Sequence, residues 1–388
     1  MGYRRGMGAP SYPLALDPAA AAALVALRRD IHEHPELAGG EHRTARLVAD
    51  RLRAAGLTVT TGVGGHGVVA VLDGCEPGPT VAYRADMDAV DTGNGAAHLC
   101  GHDLHTAIGV GIAELLANVR ANVPGRVVFV FQPAEETLAG AEAMISDGVI
   151  EQTKPDEIYA LHCAPMPVGA FAVMPGFGHP GLDQFQIALT GPTARDDGTR
   201  LIAMIEAMST VAFPETETEF QQIAAHLGTP DGPLSQFVLA QARLDGAATV
   251  LGWVRAWPDD RYPAIRDEIR QLAESVSGAR LEFPKPPFPA MVCSPGLSTS
   301  MASHLRDVPG VDAVEVLYAA YPFNGEDFAL FLREVPGAMC YLGVANDDAG
   351  LNGLPHSPDF GADDRAVSVA VQAMASLLTH RINTLRDA

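Results

Sequence analysis

Apolar runs and amphipathic stretches alternate along roughly the first 175 residues of the chain. Apolar positions spaced three and four apart are typical of helices, and short apolar runs bounded by turn residues are typical of strands. The pattern predicts helices near 18–33, 42–55 and 104–120, strands near 57–61 and 67–73, and a strand that ends at Asp86. This alternation of helices and strands indicates an α/β fold.

The pattern changes at Asp183, where a strand of alternating apolar and polar residues begins. Further elements are predicted in the order helix, helix, strand, strand, helix and strand, near 199–212, 217–227, 234–241, 247–256, 261–277 and 280–283. With the first strand, and with the two neighbouring helical stretches taken as one helical segment, this gives a β-α-β-β-α-β order, which is typical of a small ferredoxin-like α+β domain.

A proline-rich linker at 284–289 follows, and the α/β pattern then resumes. Helices are predicted near 297–306 and 326–334, strands near 314–317 and 339–344, and a terminal helix after them. We therefore predict a catalytic domain in two parts, 1–181 and 289–388, with an inserted domain at 182–288. A site at the cleft between the two domains is the expected arrangement.

Amino-acid composition disfavours several classes of function. The chain has 388 residues, 26 basic and 47 acidic, so the formal net charge of −21 disfavours nucleic acid and anionic membranes as partners. Five scattered cysteines without a C-x-x-C pair indicate neither a disulfide framework nor a zinc ribbon, and favour a reducing cytoplasm. Arg4 and Arg5 are followed by no apolar stretch typical of an export signal.

The stretch from His98 to His105 has the densest candidate chemistry. It contains Cys100, His102 and Asp103 within eight residues that follow an apolar strand and open a helix. Thiolate and imidazole are ligands for borderline ions such as zinc, and Gly101 would provide the sharp turn that lets its neighbours converge. The alternative is a helix start capped by an aspartate, with incidental histidines.

Three more polar groups follow predicted strands. They are Asp86 with Asp88, the pair Glu135 and Glu136, and His162. Each alone is typical of a solvated loop. Because the carboxyl ends of parallel strands share one edge of a sheet, the groups together predict a single metal site.

Seven collinear motifs resemble the amidohydrolase branch of the aminoacylase and zinc carboxypeptidase family, which includes hippurate hydrolases and auxin-conjugate hydrolases. The motifs are His34-Pro35-Glu36-Leu37 with Glu41 and Thr44, Arg84-Ala85-Asp86-Met87-Asp88-Ala89, Cys100-Gly101-His102-Asp103, Gln132-Pro133-Ala134-Glu135-Glu136, His162, Gly325-Glu326-Asp327-Phe328 and His356-Ser357-Pro358. The resemblance implies a zinc-peptidase-like catalytic domain with a mostly parallel mixed sheet, and an inserted lid and dimerisation domain.

The resemblance also implies a set of site residues. Two divalent metal ions, zinc or else manganese, cobalt or nickel, would be held by Cys100, His102, Glu136, His162 and His356. Glu135 would be the general base, because one of two adjacent carboxylates can hold metal while the other moves a proton. Asp88 would orient a ligand imidazole, with Asp86 as a possible second such residue, and Asn324 and Glu326 would contact substrate.

Other candidates are expected to lie outside the ligand set. His105, three residues after His102, is expected to be structural rather than a ligand. The side chain of Cys163 is expected to point away from that of His162 along the strand. Four further histidines, His32, His34, His42 and His66, are expected to be structural or exposed.

The inserted domain departs from the family pattern. Arg195 stands where a histidine is expected to reach a partner subunit's site and stabilise the oxyanion. Arg195 could replace that histidine or bind a substrate carboxylate. The lid could instead be specialised for an unusual substrate, or hydrolysis could be impaired.

The expected function is hydrolysis of an N-acyl amino acid or a similar small amide by a dimetal amidohydrolase, which dimerises through its inserted domain in the cytoplasm. The alternative is a homologue with impaired catalysis or one repurposed for binding, acyl transfer or biosynthetic tailoring.

Overall fold

The computed structural model describes residues 14–214 and 216–388, so Arg4, Arg5 and the absence of an export signal around them lie outside the described residues. The described chain forms two compact units. The first contains 14–173, 293–316 and 330–388, and the second contains 174–292 and 317–329. The predicted insertion at 182–288 falls within the second unit. The segment 317–329, predicted as catalytic domain, belongs to the second unit because tertiary contacts such as Tyr318 N–H to Leu227 O hold it there.

An eight-stranded sheet forms the centre of the first unit. Its spatial order is Thr58–Val63, Gly67–Asp73, Arg126–Gln132, Thr80–Asp86, Glu157–Pro167, Gly337–Ala345, Ala170–Val173 and Ala313–Val316. In this order, the first and second strands, the second and third, and the sixth and seventh are paired antiparallel. The other four neighbouring pairs are parallel. The predicted α/β fold with a mostly parallel mixed sheet is confirmed.

Helices cover this sheet. They are Pro18–Glu33, His42–Ala54, His102–Asn118, Gly140–Ser146, Val149–Thr153, Pro295–Leu305 and Arg365–Arg386, and Phe328–Glu334 crosses from the second unit to the first along the chain. Asp17 starts the first helix, because its side chain accepts hydrogen bonds from the backbone N–H groups of Ala19 and Ala20. The helix His102–Asn118 is buried along nearly its whole length and packs against Pro18–Glu33 and Arg365–Arg386.

The second unit contains a four-stranded antiparallel sheet with the order Phe237–Asp245, Thr249–Trp257, Gly181–Ala188 and Arg280–Glu282. Its helices are Ala194–Glu206, Glu217–Leu227 and Tyr262–Glu274. Burial alternates along Gly181–Ala188, as expected for a strand with one face on a core. A short pair, Gly178–His179 with Met291–Val292, lies at its chain boundaries.

Among the described residues, no helix combines the length and the apolar character needed to cross a membrane.

Candidate metal centre

Three adjacent parallel strands of the first unit bring the predicted groups together. Asp86 is the last residue of its strand, and Glu135 and Glu136 lie in the loop after Arg126–Gln132. His162, predicted just past a strand, instead lies inside Glu157–Pro167, because the parallel pairing continues beyond it and matches His162 with Tyr341. The convergence expected at one sheet edge is therefore present in the structure.

The turn before the helix His102–Asn118 depends on Gly101. Gly101 has a φ of 91°, and a Cβ atom there would lie 2.7 Å from Sγ of Cys163. A side chain at this position would be strained by the backbone conformation and by the close sulfur. His356 joins the same turn, since its backbone N–H donates to the Leu99 carbonyl at 2.7 Å.

The five predicted ligands form two donor groups that share Cys100. One group is Cys100, His102 and His162, and the other is Cys100, Glu136 and His356. Cys100 Sγ lies 3.4 Å from His162 Nε2, and His356 Nε2 lies 3.5 Å from Glu136 Oε2. Glu135 extends the cluster, with its Oε2 3.9 Å from His102 Nε2.

Unpartnered polar atoms show that this cluster fits metal ions. His102 Nε2 and Glu136 Oε1 are buried, lie 3.8 Å apart and have no hydrogen-bond partner among the described residues. Burying such atoms without partners is costly. One sulfur, three imidazoles and a carboxylate are the donors that zinc and neighbouring divalent metals take.

The electrostatics of the cluster agree with this interpretation. Burial raises the pKa of Glu136 to about 7, and burial also raises the pKa of the Cys100 thiol well above its usual range. Both groups are thus poorly stabilised as anions by the protein alone. A bound cation would reverse the effect by favouring the charged forms.

Asp88 holds two parts of the site in place. His102 Nδ1 lies 2.9 Å from the Asp88 backbone carbonyl and 3.3 Å from Oδ1 of the same residue. The carboxylate Oδ2 also accepts the backbone N–H of Glu136 at 2.9 Å. Asp88 is therefore placed to orient His102, with the carbonyl as the nearer acceptor.

Asp86 and His105 form a second buried pair. His105 Nδ1 lies 2.6 Å from Asp86 Oδ1, and His105 Nε2 accepts the backbone N–H of Cys163 at 2.9 Å. Both ring nitrogens of His105 are thus engaged within the chain. Asp86 also receives Arg84 Nη1 at 2.6 Å. Burial opposes ionisation of Asp86, but the charges of His102 and Arg84 hold its pKa well below the usual range.

Two glutamates quoted only as parts of a motif have specific structural roles. Glu41 is fully buried, and its Oε1 accepts the backbone N–H of Ala134 at 2.8 Å, just before Glu135. Ala134 has a φ of 53°, so this contact supports an uncommon backbone conformation beside the predicted base. Glu36 accepts the N–H groups of Arg43 and Thr44 and so caps the helix His42–Ala54.

An ion network surrounds the buried Asp103, the residue after His102. The carboxylate of Asp103 lies 2.7 Å from Arg28 Nε and 2.9 Å from His32 Nδ1. Burial acts to raise the pKa of Asp103, but His32 and Arg28 outweigh it and hold the value at about 2. The network joins the first helix to the start of the helix that bears His102.

The remaining predicted residues belong to the second unit. Arg195 was expected on a turn, but it is exposed on the first turn of the helix Ala194–Glu206. This helix begins before the predicted residue 199 because Asp196 and Asp197 favour a helix start there. Asn324 is half-buried, and Glu326 is buried with its Oε1 accepting the Phe328 N–H at 2.9 Å.

The first unit combines a mostly parallel sheet, a cluster of metal-binding donors and two adjacent carboxylates, Glu135 and Glu136. This combination is typical of a metal-dependent hydrolase. The sequence model of peptidase family M20/M25/M40 matches residues 82–380, and the chain belongs to this family. The predicted family resemblance is therefore confirmed, and the chain is a metal-dependent amidohydrolase.

Individual relatives are similar over almost their whole length. The N-acetylcysteine deacetylase of Bacillus subtilis is 29% identical, with 94% of this chain and 98% of the relative covered. The IAA-amino acid hydrolase ILR1-like 5 of Arabidopsis thaliana is 28% identical, with 92% and 86% covered. The crystal structure of the Bacillus subtilis YXEP protein, described as a dinuclear metal binding peptidase, superimposes with a TM-score of 0.74 at 28% identity, covering 95% of this chain and all of that one.

Proposed function

We propose that this protein hydrolyses the amide bond of an N-acyl amino acid or a similar small amide. The observation that carries the proposal is the pair of donor groups sharing Cys100, with Glu135 directly beside them. The names of the relatives, an N-acetylcysteine deacetylase and an IAA-amino acid hydrolase, support this substrate class. The complete donor set argues against the alternative of an impaired homologue.

Two divalent metal ions would be held by Cys100, His102, Glu136, His162 and His356, as the dinuclear YXEP protein suggests. Bound there, they would supply Lewis-acid activation of water and of the amide carbonyl. The donor set suits zinc, manganese, cobalt or nickel.

Glu135 is the proposed proton carrier. It accepts a proton from the attacking water as the new C–O bond forms, and it delivers that proton to the amine nitrogen as the C–N bond breaks. The products are a carboxylic acid, which releases its proton to water at neutral pH, and a free amine. Asp88 keeps His102 in one ring orientation, and Glu41 fixes the backbone before Glu135.

The second unit is proposed to act as a ferredoxin-like lid and dimerisation domain. Its strand Phe237–Asp245 is an edge of the sheet and offers backbone groups that a second copy can pair with. Arg195 would then contact an oxyanion or a substrate carboxylate, with Asn324 and Glu326 as further substrate contacts. The proposed compartment is the cytoplasm, where the five cysteines would stay reduced.

Substitution of the two glutamates tests this proposal. Glu135→Gln is expected to lower kcat by about a hundredfold or more while the bound metal is retained, because the base and no ligand is lost. Glu136→Gln is expected to lower the metal content itself. Metal analysis and turnover of N-acyl amino acids with added zinc, manganese, cobalt or nickel measure both effects.

The exposed Glu142 on the next helix provides the control, since Glu142→Gln should change neither quantity. Loss of metal from Glu135→Gln with full retention in Glu136→Gln would reverse the two roles. Absence of turnover across the panel in the metal-loaded wild-type protein would reject the substrate class.

A further inference from the structure

A basic groove lies on the first unit between the helix His42–Ala54 and the hairpin of Thr58–Val63 and Gly67–Asp73. Its volume is about 300 Å³. None of its lining residues belongs to the metal centre. Its lining includes the side chains of His42, Arg46, Arg53 and His66, with Ala45 and Ala49 between them.

The groove collects positive charge in an acidic protein. Its lining contains two arginines and two histidines but no carboxylate. Arg46 makes no ion pair with any residue that the structure describes. Arg53 pairs only weakly with the exposed Asp50, at 3.5 Å.

The two imidazoles meet at one end of the groove. The ring centroids of His42 and His66 lie 3.9 Å apart, with the rings tilted by 54°. The sequence predicts that both histidines are structural or exposed, and neither ring forms a hydrogen bond within the described residues. Their four ring nitrogens are therefore available to a ligand.

The shape leaves room for that ligand. Ala45 and Ala49 are short side chains on the arginine-bearing face of the helix, and Gly65 on the hairpin has open space where a Cβ would lie. The helix N-terminus is already capped, because the N–H groups of Arg43 and Thr44 donate to Glu36. Recognition here would therefore come from side chains.

We propose that this groove binds a small phosphate-bearing molecule. A guanidinium group donates two parallel hydrogen bonds to a phosphate, and the histidines add donors at the other end. Arg46 and Arg53 are two helical turns apart, about 10 Å along the axis, so both can engage one ligand of metabolite size.

Charge favours a small ligand over a polymer. With a net charge of −21, the protein repels a long polyanion such as RNA along most of its surface. A ligand confined to the groove meets mainly the local arginines, because charges beyond about 8 Å are screened at physiological salt.

Isothermal titration of the metal-loaded protein with glycerol 2-phosphate tests the site. We expect saturable binding at about 0.15 M ionic strength, and at least about tenfold weaker binding by the double variant Arg46→Gln/Arg53→Gln. Glycerol should give no heat. Arg280→Gln, which changes an exposed arginine on the second unit, is the matched control and should bind like the wild type.

Arg46→Lys separates charge from geometry and should bind with intermediate affinity, because lysine keeps the charge but not the paired donors. Thermal unfolding and unchanged kcat show that the variants are folded and that the metal centre is intact. A phosphate ester can also bind to a metal ion. Only the binding that is lost in the double variant is therefore assigned to the groove.

Equal affinity in the wild type and the double variant, or no saturable heat, would overturn the proposal. Succinate, a dianion without phosphate, distinguishes charge from chemistry. If it binds as tightly as glycerol 2-phosphate and loses affinity in the same variant, the assignment to phosphate is wrong.

Discussion

At the scale of the residue, the metal centre depends on one backbone position as much as on its ligands. Gly101 separates two proposed ligands, Cys100 and His102, whose side chains can point into one cluster because the φ of Gly101 is 91°. A non-glycine residue in this conformation costs about 1–2 kcal/mol. The sulfur of Cys163 then excludes even a methyl group.

Gly101→Ala is therefore expected to lower the free energy of unfolding by about 2 kcal/mol or more and to weaken metal binding. Urea unfolding and metal analysis measure the two effects. Gly296→Ala is the matched control, because Gly296 lies in a helix with a negative φ and no atom near its Cβ position, so the change should be neutral or slightly stabilising. Equal unfolding free energies for the two variants would contradict this account of the turn.

At the scale of the element, the first helix is a structural part of the metal centre. Arg28 and His32 lie four residues apart on it, so both reach Asp103 at the start of the helix that bears His102. The Asp103 carboxylate is fully buried and the Arg28 side chain is nearly so, whereas the His32 side chain is 43% exposed. Removing the charge of Asp103 therefore leaves the buried Arg28 without its nearest partner.

Asp103→Asn is expected to cost about 3 kcal/mol of unfolding free energy, at the lower end for a buried pair because Arg28 keeps a contact to Asp364. The reduced charge should also lower metal content by loosening the turn before His102. Asp50→Asn, on an exposed helix face, should leave both quantities unchanged. If the Asp103→Asn variant is as stable as the wild type, the network does not contribute to the free energy of unfolding.

Sequence patterns located the elements with strong periodicity and missed the short ones. The helix Pro18–Glu33 and the strand Gly67–Asp73 agree with their predicted bounds, since each combines a clear period with a defined start. The helices Gly140–Ser146 and Val149–Thr153 and the strand Ala170–Val173 were not predicted. Short segments contain too few turns or alternations to show a period, and tertiary packing decides their structure.

The same limit applies to the site. Residue types that bind metal and their places after strands are visible in the sequence, so Cys100 and Glu136 could be proposed as ligands. The contact between Glu41 and Ala134 could not, because 93 residues separate the partners and neither has a local signature. The assignment of 317–329 to the second unit depends on long-range contacts in the same way.

At the scale of the whole molecule, we expect the pH dependence of stability of the first unit to involve His304, a histidine outside the proposed ligand set. His304 stacks on His380, with ring centroids 4.5 Å apart, and its Nε2 lies 2.9 Å from Ser376 Oγ. Burial and the neighbouring His380 lower the pKa of His304 to about 4, although Asp307 acts in the opposite direction. The folded state thus favours the neutral ring.

Because the unfolded chain binds this proton near pH 6.5 and the folded chain only near pH 4, the stability contribution is complete above pH 6.5 and is lost as the pH falls toward 4. His304→Gln should therefore make the Tm fall less steeply between pH 7 and pH 4 than in the wild type. Calorimetry across this range measures the difference, with the exposed His34→Gln as the control that keeps the wild-type slope. Parallel Tm curves for wild type and His304→Gln would exclude the effect.

The ion network of Asp103 also bears on how the chain can be divided. The family match begins at residue 82, and a fragment starting there would contain all five predicted ligands. It would lack Arg28 and His32, which contact the Asp103 carboxylate, and Glu41, which accepts the Ala134 N–H. Such a fragment would contain all five predicted ligands without the contacts that position them, so we expect the minimal catalytic segment to be longer than the range that the family model matches.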